Sequence, residues 1–172
     1  MECGGALSLS LNTKKTLSLL AVIAVAVMIF CFSAQSGEDS SALSGVVTEA
    51  VLSVTVPGYR DMSPAQRAPY IERWGLMVRK LAHFSEFALL ALTLVIHLHY
   101  ARSWPSPLAL MGVAWALATL YAGTDELHQM FVDNRGPALL DVCIDGAGAL
   151  FGAALTTAVR TRIVRRNRRT AG

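Results

Sequence analysis

Between Thr16 and Gly37 the chain carries no charged residue over 22 positions. A helix needs about 20 apolar residues to cross the hydrocarbon core of a bilayer. Thr16 to about Ser33 therefore reads as a first transmembrane span. Its apolar stretch is long for the core of a cleaved signal peptide, and bulky Phe32 sits where a small residue is preferred before a cleavage site after Ala34. Ser103 to Thr124 is uncharged over a further 22 positions, which sets a span at about 107–127. Two more runs, 81–100 and 138–159, are apolar apart from His83, Glu86, His97 and His99 in one and Asp141 and Asp145 in the other. The expected fold is all-α, a polytopic membrane bundle of four transmembrane helices within one domain over 1–172.

Composition agrees. Hydrophobic residues make up 53% and charged residues 16%, against about 25% charge in a soluble domain. The hydrophobicity excludes intrinsic disorder, and three cysteines exclude a disulfide scaffold. Cys31 and Cys143 are expected within the membrane, Cys3 in the N-terminal tail, and all three as inert.

Orientation follows the placement of Lys and Arg. With a cytoplasmic N-terminus, the inside holds nine of them: Lys14, Lys15, Arg102 and six in the tail 160–172. The outside holds six: Arg60, Arg67, Arg73, Arg79, Lys80 and Arg135. A multi-pass protein of the cytoplasmic membrane with both termini inside is expected. The basic tail reads as an anchor on anionic lipid rather than a nucleic-acid patch.

Residues 34–79 then form an extracytoplasmic segment with one or two amphipathic helices. Leu43, Val46, Val47, Ala50, Val51 and Val54 recur at helical spacing opposite Ser44, Thr48, Glu49 and Ser53. This face is expected to pack a helix over the bundle or to lie in the interface. Ser63, Pro64 and Gln66 mark a second helix start with a capping box. Pro69 is expected to interrupt it before the chain continues through Trp74.

Ionisable groups inside a span are functional candidates by default. Lys80, His83 and Glu86 begin the second span, Asp125, Glu126, His128 and Gln129 end the third, and Asp141 and Asp145 begin the fourth. In an alternating bundle all three ends share the outer side, with Arg135 in the loop between the last two spans. At 100° per residue, Asp141, Asp145, Gly148 and Gly152 fall within about 60° of one another. The GxxxG of Gly148 and Gly152 allows close helix approach and turns both acids inward. His83 with the acids Glu86, Asp125, Glu126, Asp141 and Asp145 has the groups for acid–base catalysis or a divalent metal, although no HExxH or CxxC spacing occurs. Lys80 and Arg135 suit an anion, with Gln129 and His128 as polar support. His97 and His99 read as structural.

The stretches Phe32-Ser33-Ala34-Gln35-Ser36-Gly37, Arg79-Lys80-Leu81-Ala82-His83-Phe84-Ser85-Glu86-Phe87, Asp125-Glu126-Leu127-His128-Gln129-Met130-Phe131-Val132-Asp133-Asn134-Arg135, and Asp141 to Asp145 with Gly148 and Gly152 occur in this order. Over roughly residues 15–158 the chain resembles the VanZ-like membrane proteins, named for a component of glycopeptide-resistance operons. Phe87 departs from the tyrosine expected in the family, and Asp145 stands where asparagine is a common alternative. The resemblance implies a bacterial cell-envelope role, with reduced glycopeptide susceptibility in the namesake, and supplies no established reaction. The residues leave three functions open: a site binding or modifying an anionic, lipid-linked envelope molecule, a transporter or proton relay, and a non-catalytic scaffold held by an ion-pair network. Membrane lipids are the expected partners; cofactor and oligomeric state are left open.

Overall fold

The computed structural model describes residues 9–136 and 138–170, so Cys3 and Pro137 lie outside it. Five helices follow one another: α1 (Leu11–Ser33), α2 (Gly37–Thr55), α3 (Pro64–Ala101), α4 (Pro107–Gln129) and α5 (Leu139–Thr170), with a 3-10 turn at Tyr59–Asp61. There is no strand among the described residues. α1, α3, α4 and α5 are long and apolar enough to cross a membrane.

The distribution of side chains is that of a protein dissolved in lipid. Ser33, Asp125, Glu126, Gln129 and Asp145 are buried, while Leu20, Val27, Leu120 and Leu127 are exposed. Hydrocarbon solvates leucine as well as a protein core does, so the helices associate through small residues and polar contacts instead. Along α4 the buried positions Leu110, Ala114, Ala118 and Ala122 recur every fourth residue. Along α5 they are Gly148, Ala149, Gly152, Ala153, Thr156 and Thr157.

The closest seam joins α5 to α3. A Cβ placed on Gly148 would collide with the carbonyl oxygen of Phe84 and lie 3.0 Å from its Cα. A Cβ on Gly152 would strike the Ala88 carbonyl and come within 2.8 Å of its Cα. The two helices run parallel with backbones in contact, as the GxxxG spacing predicts. Polar ties fix the neighbours: Tyr121 Oη donates to Ala26 O at 2.8 Å, and Trp115 Nε1 donates to Gly146 O at 3.0 Å. At the other end of the bundle, Ser18 Oγ and His97 Nδ1 lie 3.1 Å apart, giving His97 a structural contact with α1.

One expectation from the sequence is corrected. Pro69 does not interrupt its segment, because α3 runs unbroken through it for 38 residues from a start at which Ser63 N donates to Gln66 Oε1 at 2.9 Å. Near a helix start the missing N–H and the ring clash involve only the first turns. At 1.5 Å per residue α3 is about 57 Å long, well beyond a hydrocarbon core of about 30 Å. Its first half extends past the core, with α2 antiparallel beside it.

For α2 the structure shows which of its two faces packs on the bundle. The apolar face points outward, with Val46 69% and Val54 81% exposed. The helix instead buries Ser40, Thr48 and Leu52. Small residues line this contact: a Cβ on Gly45 would lie 3.9 Å from Ile71 Cγ2 and one on Gly75 3.8 Å from Thr48 Oγ1, so side chains of one helix pack over glycines of the other. Arg67 pairs with Glu49 at 3.3 Å across the same contact. α5 also outruns its expected span, continuing as helix through the basic tail to Thr170.

The seam predicts a graded response to a single methyl group. Gly152→Ala should lower stability by about 1–3 kcal/mol through overpacking. Gly112→Ala, where an added Cβ meets nothing within 4 Å, should be neutral or stabilising by up to about 1 kcal/mol. Thermal unfolding of both variants in detergent tests the contrast; equal melting would contradict the seam.

Candidate functional site

The α3–α5 register sets the site. Four residues before Phe84, Lys80 Nζ reaches Asp141 Oδ1 at 2.5 Å. One turn deeper, His83 Nδ1 lies 3.9 Å from Asp145 Oδ1. This is too far for a direct hydrogen bond, and both atoms are buried without a partner. The glycine seam below holds these pairs at that separation.

α4 adds a second cluster. Ser33 Oγ, from the end of α1, donates to Asp125 Oδ2 at 2.7 Å, and Gln129 Nε2 donates to the same oxygen at 3.0 Å. Asp125 is 4% exposed, so this carboxylate is held by side-chain donors inside the bundle. Glu126 Oε1 accepts from Ala138 N at 2.5 Å and ties the last turn of α4 to the residue that precedes α5.

The loop between α4 and α5 is clamped by the corner between α1 and α2. Arg135 Nη2 donates to Phe32 O at 3.3 Å, Gly37 N donates to Asp133 O at 3.0 Å, and Asn134 Nδ2 donates to Glu38 Oε1 at 3.2 Å. Asn134 adopts a left-handed backbone with φ 56°, a conformation asparagine tolerates better than most residues. Gly37 sits against it so closely that a Cβ would meet the Asn134 carbonyl oxygen. The Phe32–Gly37 stretch is thus the clamp that positions Arg135.

Between these clusters lies a cavity of about 240 Å³. Lys80, His83, Gln129, Arg135, Asp141 and Asp145 line it, as the sequence grouped them. Arg79 and Asn134 line it too and were not singled out from the sequence. Arg79 precedes Lys80 and sits one turn before His83, which was the available signal. Ser33 was quoted only as part of a motif, yet it anchors Asp125.

Other candidates stand back from the cavity. Glu86, Asp125, Glu126 and His128 are not in its wall. His128 turns toward α1 and stacks on Phe30, ring centroids 4.7 Å apart. Of the ion-pair network expected among Lys80, Arg135 and the acids, only Lys80–Asp141 forms among the described residues. Arg135 is half-buried; burial first, and the like charge of Arg79 second, weaken its hold on its proton, while Asp125 and Glu126 oppose this. Among the described residues no group of three or more His, Cys, Asp or Glu side chains is arranged to hold a metal.

Four apolar spans with buried carboxylates, a histidine and guanidinium groups gathered at one end define an integral membrane protein with a polar site. The VanZ/LLP1 family model matches residues 18–160, and the chain belongs to this family. No curated protein and no solved structure matches it.

Asp125→Ala removes the acceptor of two buried donors and should cost about 1–3 kcal/mol. Thermal unfolding in detergent reads this directly. Ser33→Ala leaves Gln129 on the carboxylate and should cost less, about 0.5–1.5 kcal/mol; the reverse order would contradict the assigned bonds.

Proposed function

We propose that the cavity binds the anionic headgroup of a cell-envelope molecule, such as a lipid-linked phosphate or cell-wall precursor, at the extracytoplasmic face of the bacterial cytoplasmic membrane. One observation carries this reading: Arg79 and Arg135 border the cavity with no carboxylate within ion-pair distance of either among the described residues. Their hydrogen bonds go to uncharged oxygens, Ser41 Oγ at 3.3 Å and Phe32 O at 3.3 Å. A guanidinium drawn out of water favours a charged acceptor and can hold a phosphate through two donors. Lys80 contributes a third cation, already balanced by Asp141.

Size favours a headgroup over a whole lipid. Pockets that enclose drug-sized ligands run to about 300–1,000 Å³, so this smaller cavity takes the polar group and leaves the chains in the bilayer. His83 and Asp145, unpartnered on its wall, serve as the groups that exchange protons with the bound molecule. The excess of Lys and Arg at the opposite end supports an extracytoplasmic site with both termini in the cytoplasm. A transport path is disfavoured because the buried positions of α4 below the site are Ala122, Ala118, Ala114 and Leu110. In this reading, altered glycopeptide susceptibility follows from engagement of a cell-wall precursor.

Arg135→Ala should weaken retention of an anionic lipid-linked ligand by roughly tenfold or more, the loss expected for a charge-assisted contact. His83→Ala should retain the ligand but alter the pH dependence of binding. Incubation of the purified wild type and both variants with envelope lipid extracts, followed by mass spectrometry of the bound lipid, tests this. Equal retention by all three proteins with the same pH dependence would reject the reading.

A further inference from the structure

A second, larger cavity lies at the opposite end of the bundle, about 730 Å³ in volume. Three elements enclose it: the first turns of α1, the connection from α3 to α4, and the last half of α5. Five cations line it, Lys15, Arg102, Arg160, Arg165 and Arg168, and its wall contains no aspartate or glutamate. None of the five forms an ion pair among the described residues.

The arrangement is more than a basic tail. Thr157, Arg160, Thr161, Val164, Arg165 and Arg168 stand at i, i+3, i+4, i+7, i+8 and i+11, so one face of α5 is turned into the cavity. Arg102 stacks over Trp104, its guanidinium carbon 4.6 Å from the ring centroid. Trp104 is itself pinned, donating from Nε1 to Leu98 O at 2.8 Å. The start of α4, capped where Ser106 Oγ accepts from Ala109 N at 3.1 Å, turns its positive end into the same wall. Thr157 is 9% exposed and its hydroxyl oxygen is buried without a hydrogen-bond partner. Leu11, Pro107, Leu110 and Val164 supply an apolar side.

We infer that this cavity is a binding site for an anionic phospholipid of the adjacent leaflet, its phosphate held by Arg160, Arg102 and Lys15 and the start of its acyl chains against Leu110 and Pro107. A cavity of this volume exceeds what a single phosphate fills and falls in the range that encloses a drug-sized group. Its mixed lining matches a molecule that is charged at one end and apolar at the other. Half-buried Arg160 favours a counter-ion, and the wall supplies none.

Native mass spectrometry of the full-length protein, exchanged from detergent into phosphatidylcholine vesicles containing phosphatidylglycerol, tests the site. The double variant Arg102→Gln, Arg160→Gln should lose retained phosphatidylglycerol by roughly tenfold or more. The double variant Arg166→Gln, Arg169→Gln removes the same charge from residues outside the cavity wall and should retain it. Ala101→Trp narrows the cavity without altering charge and should also lower retention, which separates occupancy from folding if the arginine variant fails to purify as a monodisperse species. Inorganic phosphate alone should not displace the lipid. Equal loss in the two double variants, unchanged retention in Ala101→Trp, or displacement by inorganic phosphate would each overturn the assignment.

Discussion

Backbone contact between α3 and α5 is the constraint on which the rest depends. Gly148 and Gly152 let α5 lie against the carbonyls of Phe84 and Ala88, and no side chain larger than hydrogen fits there. In lipid, apolar burial gives helices little reason to choose one neighbour over another, so close packing at small residues sets the register. That register brings Lys80 to Asp141 two turns above the seam along α5 and His83 to Asp145 one turn above it. A shift of one residue would rotate both acids by about 100° and separate the pairs.

The polar end divides into two kinds of group. Asp125 and Glu126 are engaged by Ser33, Gln129 and the Ala138 amide. They join α1, α4 and the start of α5, which makes them parts of the frame. His83 Nδ1 and Asp145 Oδ1 are buried without partners, and Arg79 and Arg135 bond to neutral oxygens. The sequence had placed all the acids in one candidate set, because depth in a span says which residues are costly and not which are satisfied.

The spans were legible where chemistry was uniform. α1 and α4 stand out because their apolar runs carry no charge, and the GxxxG of α5 indicated its packing face. In the first half of α3 the start at Ser63 was legible and only Pro69 misled, because a proline inside a helix ordinarily breaks it. For α2 the helical periodicity was read correctly, and of the two placements left open the apolar face takes the one turned away from the bundle. An apolar stripe marks the core in water, whereas beside a bilayer the stripe of small residues marks the contact. Ser40, Ser44, Thr48 and Leu52, spaced by four, carried that signal, together with Gly75 on the facing helix. Asn134 and Arg135 were harder to place, since the clamp that orients them comes from the other end of the sequence.

That clamp has a consequence for how the protein is made. Ser33 and Asp125 are 92 residues apart, Glu38 and Asn134 are 96, and Phe32 and Arg135 are 103. A ribosome delivers α1 long before its partners exist. The first helix must therefore wait in the membrane with its polar end unclaimed until α4 and the loop after it have been made. Closure of the polar end is thus a late event in biogenesis, and a chain stalled before α5 holds the clamp but lacks the wall that Asp141, Ile144 and Asp145 give the cavity.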